Sequence, residues 1–331
     1  MVYPAPMLRA IRMKPVIRTI ITDITAEDIT VAAITISLSY RSLEEAIHAV
    51  YGMDAVTIDR ERVHGGDINN AYRFNLSVGE TVFVKTNSIQ NFNFFITEAH
   101  GLMALKEAAA IGIPKVLGAG IDEQNGFSFL LLEFIESASP IPNYWEVFGH
   151  ELAALHRAES KFHPARYGFA EDNFIGANPQ KNSPTASWVE FYQGCRLLPQ
   201  IRMAEHYLDS KLRKKLTYLL EHLDSYLREP DFPSLLHGDL WSGNVLRGKD
   251  GKAWILDPAV YIGDFETDLA MTQLFSSFPS AFYAAYHEVN PIDKGYGDRR
   301  ELYHLYHLLN HLNLFGRMYL GNVAEIVNRY V

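Results

Sequence analysis

The sequence predicts an α+β fold with two lobes: a small antiparallel sheet lobe that contains one helix, and a larger, mainly helical lobe. Two observations predict it. Five short β patterns with a single interposed helix occupy residues 55–134. Helical periodicity then dominates from Trp145 towards the C-terminus. A sheet series followed by a helix series is typical of an α+β arrangement in which each part packs its own apolar faces.

In the small lobe, the pattern begins with a helix over residues 42–51, for which Ser42 is a plausible N-cap. Alternation of apolar and polar residues then predicts short strands, and a long amphipathic stretch predicts a helix. The strands are expected at residues 57–63, 71–78, 81–85, 115–119 and 127–134, and the helix at 93–110. The last strand is almost entirely apolar, which predicts burial on both faces.

In the large lobe, apolar residues recur at helical spacing in six segments. These are residues 145–157, 186–193, 211–227, 264–275, 279–287 and 299–314. A stretch rich in Pro, Gly and Asn at 160–184 interrupts them and is expected to be loop-rich. We therefore expect an N-terminal lobe at residues 41–135 and a C-terminal lobe at 136–331.

Residues 1–40 differ from the rest. Arg9, Arg12, Lys14 and Arg18 precede any acidic residue, but Asp23 soon follows, and a targeting peptide is usually acid-poor. Three interpretations stay open for this segment: an accessory extension, a weak targeting signal, or a start codon assigned too early.

Composition narrows the class of protein. The chain has 331 residues, of which 48% are hydrophobic, and this suits one large or two modest domains with a buried core. Its formal net charge is −9 without a basic block, which disfavours a nucleic-acid partner. No apolar run approaches the roughly 18 residues of a membrane span. The single cysteine, Cys195, excludes an internal disulfide framework and favours a reducing, cytoplasmic setting.

The most informative motif is HGDLWSGN at residues 237–244, followed by a short apolar strand at 254–256 and Asp257. Phosphoryl transfer from ATP needs a carboxylate that accepts the proton of the acceptor hydroxyl, and an amide and a second carboxylate that hold Mg²⁺. Asp239, Asn244 and Asp257 supply this trio, with the Asp-to-Asn spacing of the kinase pattern HRDxxxxN. The alternative is that Asp239 and Asn244 only form a turn. The second aspartate, Asp257, which follows the short strand, disfavours this alternative.

Upstream residues fit ATP binding. Lys85 ends a strand of the VAIK type, and Glu98 follows on the helix as its expected ion-pair partner. Taken singly, each is more often a solvated surface charge.

Two further segments are candidates for nucleotide contact. Gly65 and Gly66 let the backbone approach a phosphate, and Asn69 could donate to it, although a plain hairpin turn explains these residues equally well. The linker at Glu133, Phe134 and Ile135 lies where the lobes join, where backbone groups of such folds meet adenine.

With these residues in place, the chain resembles the fructosamine kinase (ketosamine-3-kinase) family, within the aminoglycoside-phosphotransferase-like group that has a protein-kinase-like fold. The segments that carry the resemblance are residues 65–72, 83–85, 98–102, 152–156, 172–176, 188–191, 237–244, 257–259, 268–271 and 308–315. The resemblance implies ATP- and Mg²⁺-dependent phosphorylation of the 3-hydroxyl of a ketosamine, either free or on a protein lysine. The 3-phosphate is unstable and eliminates, which frees the amine and implies a role in deglycation.

The same resemblance implies that Asp239 is the base, that Asn244 and Asp257 hold Mg²⁺, and that Lys85, oriented by Glu98, contacts phosphates. Some family members carry a phosphate-loop cysteine that permits redox-linked dimerisation. This loop has none, so that regulation is not inferred. Separately, a monomer or weak homodimer is expected.

Phosphoryl transfer does not require Trp241, whose indole could stack on a sugar ring or bracket a cationic amine, or could plug the loop from below. Asp264 stands where many relatives have a His; it is a candidate substrate residue or a cap of the following helix. His304, His307 and His311 recur at helical spacing, but their apolar neighbours favour a packed helix over a zinc site.

Two rival functions stay open. One is a kinase of the same group that acts on another small hydroxyl compound, such as choline or an aminoglycoside. The other is a nucleotide-binding scaffold without turnover, which the intact set of Lys85, Glu98, Asp239, Asn244 and Asp257 disfavours.

Overall fold

The computed structural model describes residues 37–63, 68–158 and 167–331. The predicted extension therefore lies outside the described residues up to position 36, as do Gly65 and Gly66 of the glycine turn. Residues Ser37–Val331 form one compact unit.

The small lobe is a five-stranded antiparallel sheet in the order β1-β2-β3-β5-β4. Its strands are β1 (Thr57–Val63), β2 (Asn70–Leu76), β3 (Thr81–Asn87), β4 (Val116–Asp122) and β5 (Phe127–Glu133). All five strand predictions are confirmed, and the interior of β5 is buried as its apolar run predicted.

Two helices accompany this sheet. Helix α1 (Leu43–Tyr51) begins at the expected cap, where the Ser42 hydroxyl accepts the Glu45 N–H at 3.0 Å. Helix α2 (Phe92–Glu107) follows β3 and packs against β4 and β5. Tyr40, from the end of the predicted extension, hydrogen bonds to β4 through the Ala119 carbonyl. Tyr40 is therefore attached to the sheet lobe.

The large lobe is mainly helical. Its first helices are α3 (Tyr144–Arg157), α4 (Trp188–Phe191), α5 (Leu198–Met203) and α6 (Ser210–Glu221), and a π-helical turn over Tyr192–Leu197 joins α4 to α5. The others are α7 (Glu266–Leu274), α8 (Ser280–Val289), α9 (Tyr296–Phe315) and α10 (Leu320–Tyr330). Helix α3 packs on α8, and α9 packs on α7 and α10. The sequence did not predict α10.

Within the described part of this lobe, six three-residue strands form three two-stranded ladders. They are β6 (Asn173–Ile175), β7 (Asn178–Gln180), β8 (Ser234–Leu236), β9 (Val245–Arg247), β10 (Ala253–Ile255) and β11 (Tyr261–Gly263). Only β10 was predicted. Residues 237–244 lie between β8 and β9, and Asp257 closely follows β10. A short strand therefore flanks the motif on each side.

The α+β fold with two lobes is thus confirmed. Within the described part of the chain, no helix is both long and apolar enough to cross a bilayer. Cys195 is buried in the helical lobe, and burial raises the pKa of its thiol, which disfavours a reactive thiolate.

Candidate active site

A buried lysine links the two lobes. Lys85 Nζ, near the end of β3, lies 2.6 Å from Glu98 Oε1 on α2. It also lies 2.5 Å from Asp257 Oδ1, which follows β10 in the other lobe. The predicted Lys85–Glu98 contact therefore exists, and it extends to the candidate metal ligand.

Electrostatics keep this lysine charged. Burial by itself lowers the pKa of Lys85, but the carboxylates of Asp257 and Glu98 outweigh it and raise the pKa above its ordinary value. Burial raises the pKa of Glu98, and the nearby lysine opposes this effect. The site thus presents a permanent cation that can meet a phosphate oxygen.

The loop after β8 depends on a glycine. Gly238 has φ +82°, in the left-handed region, and a Cβ built on it would lie 2.0 Å from the Ala259 carbonyl oxygen. No side chain fits there, which explains why Gly stands where the kinase pattern has Arg. The close approach brings the loop against the chain that follows Asp257.

Buried groups hold this loop in place. Asp268 on α7 accepts the backbone N–H groups of His237 at 2.7 Å and Gly238 at 2.9 Å. His156 on α3 lies 3.2 Å from the same carboxylate and 2.7 Å from the Tyr286 hydroxyl. Burial would raise the pKa of Asp268, but the hydrogen bonds from His156 and Gly238 help to hold it below its usual range. An anionic anchor therefore fixes the backbone of the motif.

The ring of His237 fixes the next turn of the chain. Its Nε2–H donates to the Leu256 carbonyl at 2.8 Å, and its Nδ1 accepts the Asp239 N–H at 3.2 Å. Burial lowers the pKa of His237, which matches these roles of a neutral imidazole. The histidine thereby connects the Asp239 backbone to the residue before Asp257.

Asp239 lies in this enclosed setting with a quarter of its side chain exposed. Burial and the nearby Asp257 charge raise its pKa to about 7, against the opposing hydrogen bond from Asn244. The Asn244 amide donates to the Asp239 carbonyl at 2.9 Å and to Oδ2 at 3.3 Å. A carboxylate with a pKa near neutrality is a better proton acceptor than an ordinary aspartate.

Asn244 and Asp257 offer oxygen ligands that suit Mg²⁺. Because the Asn244 Nδ2 donates to Asp239, its Oδ1 is left as the acceptor, and the Leu256 N–H donates to the Asn244 carbonyl at 2.9 Å. Asp257 has φ +53°, strained for a non-glycine residue, and half of its side chain is exposed. Within the described ranges no group of three or more His, Cys, Asp or Glu could hold a metal.

The candidate nucleotide segments are partly described. Asn69 is held through its Oδ1, which accepts the Asn87 amide at 2.7 Å. Glu133 uses both its N–H and its Oε2 to bond the Lys115 backbone, at 2.9 and 3.0 Å. Phe134 lies under the guanidinium of Arg73, whose carbon is 5.0 Å from the ring centroid. The Glu133 N–H is therefore already used within the sheet lobe.

Trp241 belongs to an exposed aromatic wall. Its ring centroid is 6.2 Å from that of Phe275, which is 4.8 Å from His311, which is 5.3 Å from Phe315. Among the described residues, Trp241, Phe275 and Phe315 are the Trp and Phe side chains that are more than a third exposed. The Trp241 ring also lies against Gly243 of its own loop, so the stacking and plug interpretations both stay open here.

Asp264 does not open to the cleft. It is fully buried, its Oδ1 accepts the Glu266 N–H at 3.0 Å, and its Oδ2 accepts the Tyr303 hydroxyl at 3.0 Å. Burial and Glu266 raise its pKa to about 7. Its burial and its bond to the first N–H of α7 favour the capping alternative over a substrate contact.

From the sequence, no role at the motif was assigned to two residues near it, Asp268 and His307. An acidic residue inside an otherwise apolar helix face was the available signal for Asp268, because a buried charge requires partners. His307 was noticed only as one of three histidines in a packed helix.

A model of the fructosamine kinase family matches residues 40–331. The chain belongs to this family. It is 40% identical over 295 residues to a protein of Synechocystis sp. named "probable ketoamine kinase", with 88% of this chain and 96% of that one covered. It is 39% identical over 271 residues to the chloroplastic protein-ribulosamine 3-kinase of Arabidopsis thaliana, with 81% of each chain covered.

A solved structure gives the same assignment. The crystal structure of a protein assigned as a fructosamine-3-kinase from Haemophilus somnus has a TM-score of 0.79 at 29% identity. The match covers 88% of this chain and 98% of that one. The resemblance to the fructosamine kinase family predicted from the sequence is confirmed.

Proposed function

We propose that this chain phosphorylates the 3-hydroxyl of ketosamines with ATP and Mg²⁺, as a step in deglycation. The observation that carries the proposal is a complete phosphoryl-transfer set, Lys85–Glu98–Asp257 beside Asp239–Asn244, in a member of the fructosamine kinase family. Its relatives named for activity on ketoamines and ribulosamines support the substrate class.

In this proposal the two lobes are residues 41–135 and 136–331, and ATP binds between them. Lys85 contacts the phosphates with Glu98 orienting it, and backbone groups of Phe134 and Ile135 meet adenine. Asn69 and the adjacent glycine turn cover the phosphates. The glycine turn itself lies outside the described residues.

Asp239 orients the sugar hydroxyl and accepts its proton as the oxygen bonds to the γ-phosphorus and the bond to the ADP oxygen breaks. Its raised pKa suits this role, because the proton acceptor is then matched to neutral pH. Asn244 and Asp257 would hold Mg²⁺, which when bound neutralises charge on the phosphates.

Trp241 is proposed to hold the ketosamine. Trp241→Ala should raise KM for the ketosamine by about 3- to 10-fold, because a stacking or cation–π contact is lost, and should leave KM for ATP nearly unchanged. Steady-state kinetics with each substrate varied in turn measures this. Tyr218→Ala removes a comparably exposed ring from α6 and serves as the control. Equal increases in both KM values would favour the plug.

The test of the function is ATP consumption with a panel of acceptors: ribulose-lysine, fructose-lysine, choline and aminoglycosides. We expect turnover with one or both ketosamines. Turnover on choline or an aminoglycoside alone would contradict the substrate class, and no turnover on any acceptor would favour a nucleotide-binding scaffold.

A further inference from the structure

A buried histidine faces the proposed base without touching it. His307 lies on α9 and is 3% exposed. Its Nδ1 is 4.0 Å from Asp239 Oδ1, beyond hydrogen-bond distance. That Nδ1 is buried and has no hydrogen-bond partner among the described residues. A buried polar atom without a partner costs free energy, so its position calls for an explanation.

In the other two histidines of α9, a ring nitrogen bonds a backbone carbonyl. His304 Nε2–H donates to the Ala270 carbonyl at 2.8 Å. His311 Nδ1–H donates to the His307 carbonyl at 2.8 Å. His307 differs from both because its Nδ1 makes no such bond and instead lies 4.0 Å from a carboxylate oxygen of Asp239.

The two oxygens of Asp239 have different neighbours. Oδ2 accepts the Asn244 amide at 3.3 Å, and Oδ1 faces His307. The terminal torsion of an aspartate is broad, so the Asp239 carboxylate has the freedom to rotate towards Nδ1. A carboxylate held at both oxygens presents one fixed direction to an acceptor hydroxyl.

The charge state of His307 suits such a contact. Burial and the neighbouring His311 and His304 lower its pKa to about 3, so the imidazole is neutral at physiological pH. A neutral N–H donor orients the carboxylate while leaving its negative charge uncancelled. A lysine or arginine at this position would form an ion pair and make Asp239 a weaker base.

We propose that His307 is a positioning residue for phosphoryl transfer: its Nδ1–H closes onto Asp239 Oδ1 and holds the carboxylate towards the acceptor hydroxyl. This inference rests on the proposed kinase function. It assigns to α9 a direct part in the geometry of the reaction, since misplacing a reacting group by about 1 Å can cost roughly 100-fold in rate.

Two variants separate positioning from packing. His307→Asn places an amide N–H near the position of Nδ1, whereas His307→Leu fills the space without a donor. We expect His307→Leu to lower kcat by about 10- to 100-fold with less than about a twofold change in KM for ATP. His307→Asn should retain kcat within about threefold of the wild type, because the donor is restored. Melting temperatures of both variants are measured alongside, with the acceptor that the wild type turns over fastest.

Three results would overturn the inference. A Leu variant with wild-type kcat means that the ring only fills space. Equal loss of kcat in both variants, with equally lowered melting temperatures, means a structural role. The third result is a wild-type protein that turns over no acceptor. It would contradict the proposed kinase function as well, whereas the first two results contradict only the role of His307.

Discussion

At the scale of single residues, the main feature of the site is that its surroundings shift the pKa values of two side chains. Burial and the Asp257 charge raise the pKa of Asp239, and two carboxylates raise that of Lys85 against the effect of burial. The sequence predicted the identity of both residues, because the spacing of the motif and the strand-end lysine are local features. It could not predict the shifts or the place of His307, since both depend on residues far apart in the chain.

Replacement of the proposed base should separate activity from stability. Asp239→Asn should abolish turnover with little change in ATP affinity, because the proton acceptor is lost while the phosphate contacts are kept. It should also raise the free energy of unfolding at pH 8 by about 1 to 3 kcal/mol, since the wild-type protein bears the cost of an ionised carboxylate with a raised pKa.

The pH dependence of the free energy of unfolding checks the direction of this effect. The folded pKa is near 7 and the unfolded value is about 4, so Asp239 takes up a proton earlier in the folded protein as pH falls. Its unfavourable contribution is complete above pH 7 and shrinks towards pH 4, so the advantage of the variant should narrow at pH 5. Urea unfolding in metal-free buffer measures this, with the exposed Asp231→Asn as control.

For activity, an Asp239→Asn variant that retains most of its turnover would mean that Asp239 is not the base.

At the scale of elements, the long periodic segments were predictable and the short ones were not. Helix α9 and strand β5 contain enough residues for periodicity to show which faces are buried. Strands β8, β9 and β11 have three residues each and exist because they pair with one another or with β10. The sequence predicted helix α7, but it did not predict that Asp268 on this helix bonds the loop after β8.

Loss of that anchor should affect loop geometry and stability together. Asp268→Asn turns an amide N–H₂ towards backbone N–H groups that the carboxylate now accepts. We expect the free energy of unfolding to fall by about 1 to 3 kcal/mol, and kcat to fall more than KM for ATP changes. Chemical denaturation and steady-state kinetics measure the two effects. Asp298→Asn, an exposed aspartate on α9, should leave both unchanged, and an equally inert Asp268→Asn would contradict the anchoring role.

At the scale of the whole molecule, a buried lysine of the sheet lobe contacts the helical lobe at the site itself. Lys85 on β3 contacts Asp257, 172 residues later in the chain. The sequence predicted the Lys85–Glu98 pair, because such strand–helix pairs follow a known order. The additional Asp257 contact could not be predicted, because it depends on how the lobes meet.

Removal of that cation should destabilise the fold in a pH-dependent way. Lys85→Met leaves Glu98 and Asp257 without their positive partner, and we expect a loss of about 2 to 4 kcal/mol in the free energy of unfolding at pH 8. Burial raises the pKa of Glu98, so without the lysine this carboxyl takes up a proton more readily as pH falls. The loss should therefore shrink at pH 5. Lys249→Met, at an exposed lysine, is the control, and an equal effect of both substitutions at pH 8 would contradict the account.

The most direct test of the central claim is phosphorus NMR of the protein with ATP, Mg²⁺ and either fructose-lysine or ribulose-lysine. We predict a new phosphomonoester signal with coupling that assigns it to the 3-position, followed by inorganic phosphate as free lysine appears. Neither signal should arise with Asp239→Asn. A phosphate on another hydroxyl, or ATP hydrolysis without any sugar phosphate, would contradict the account.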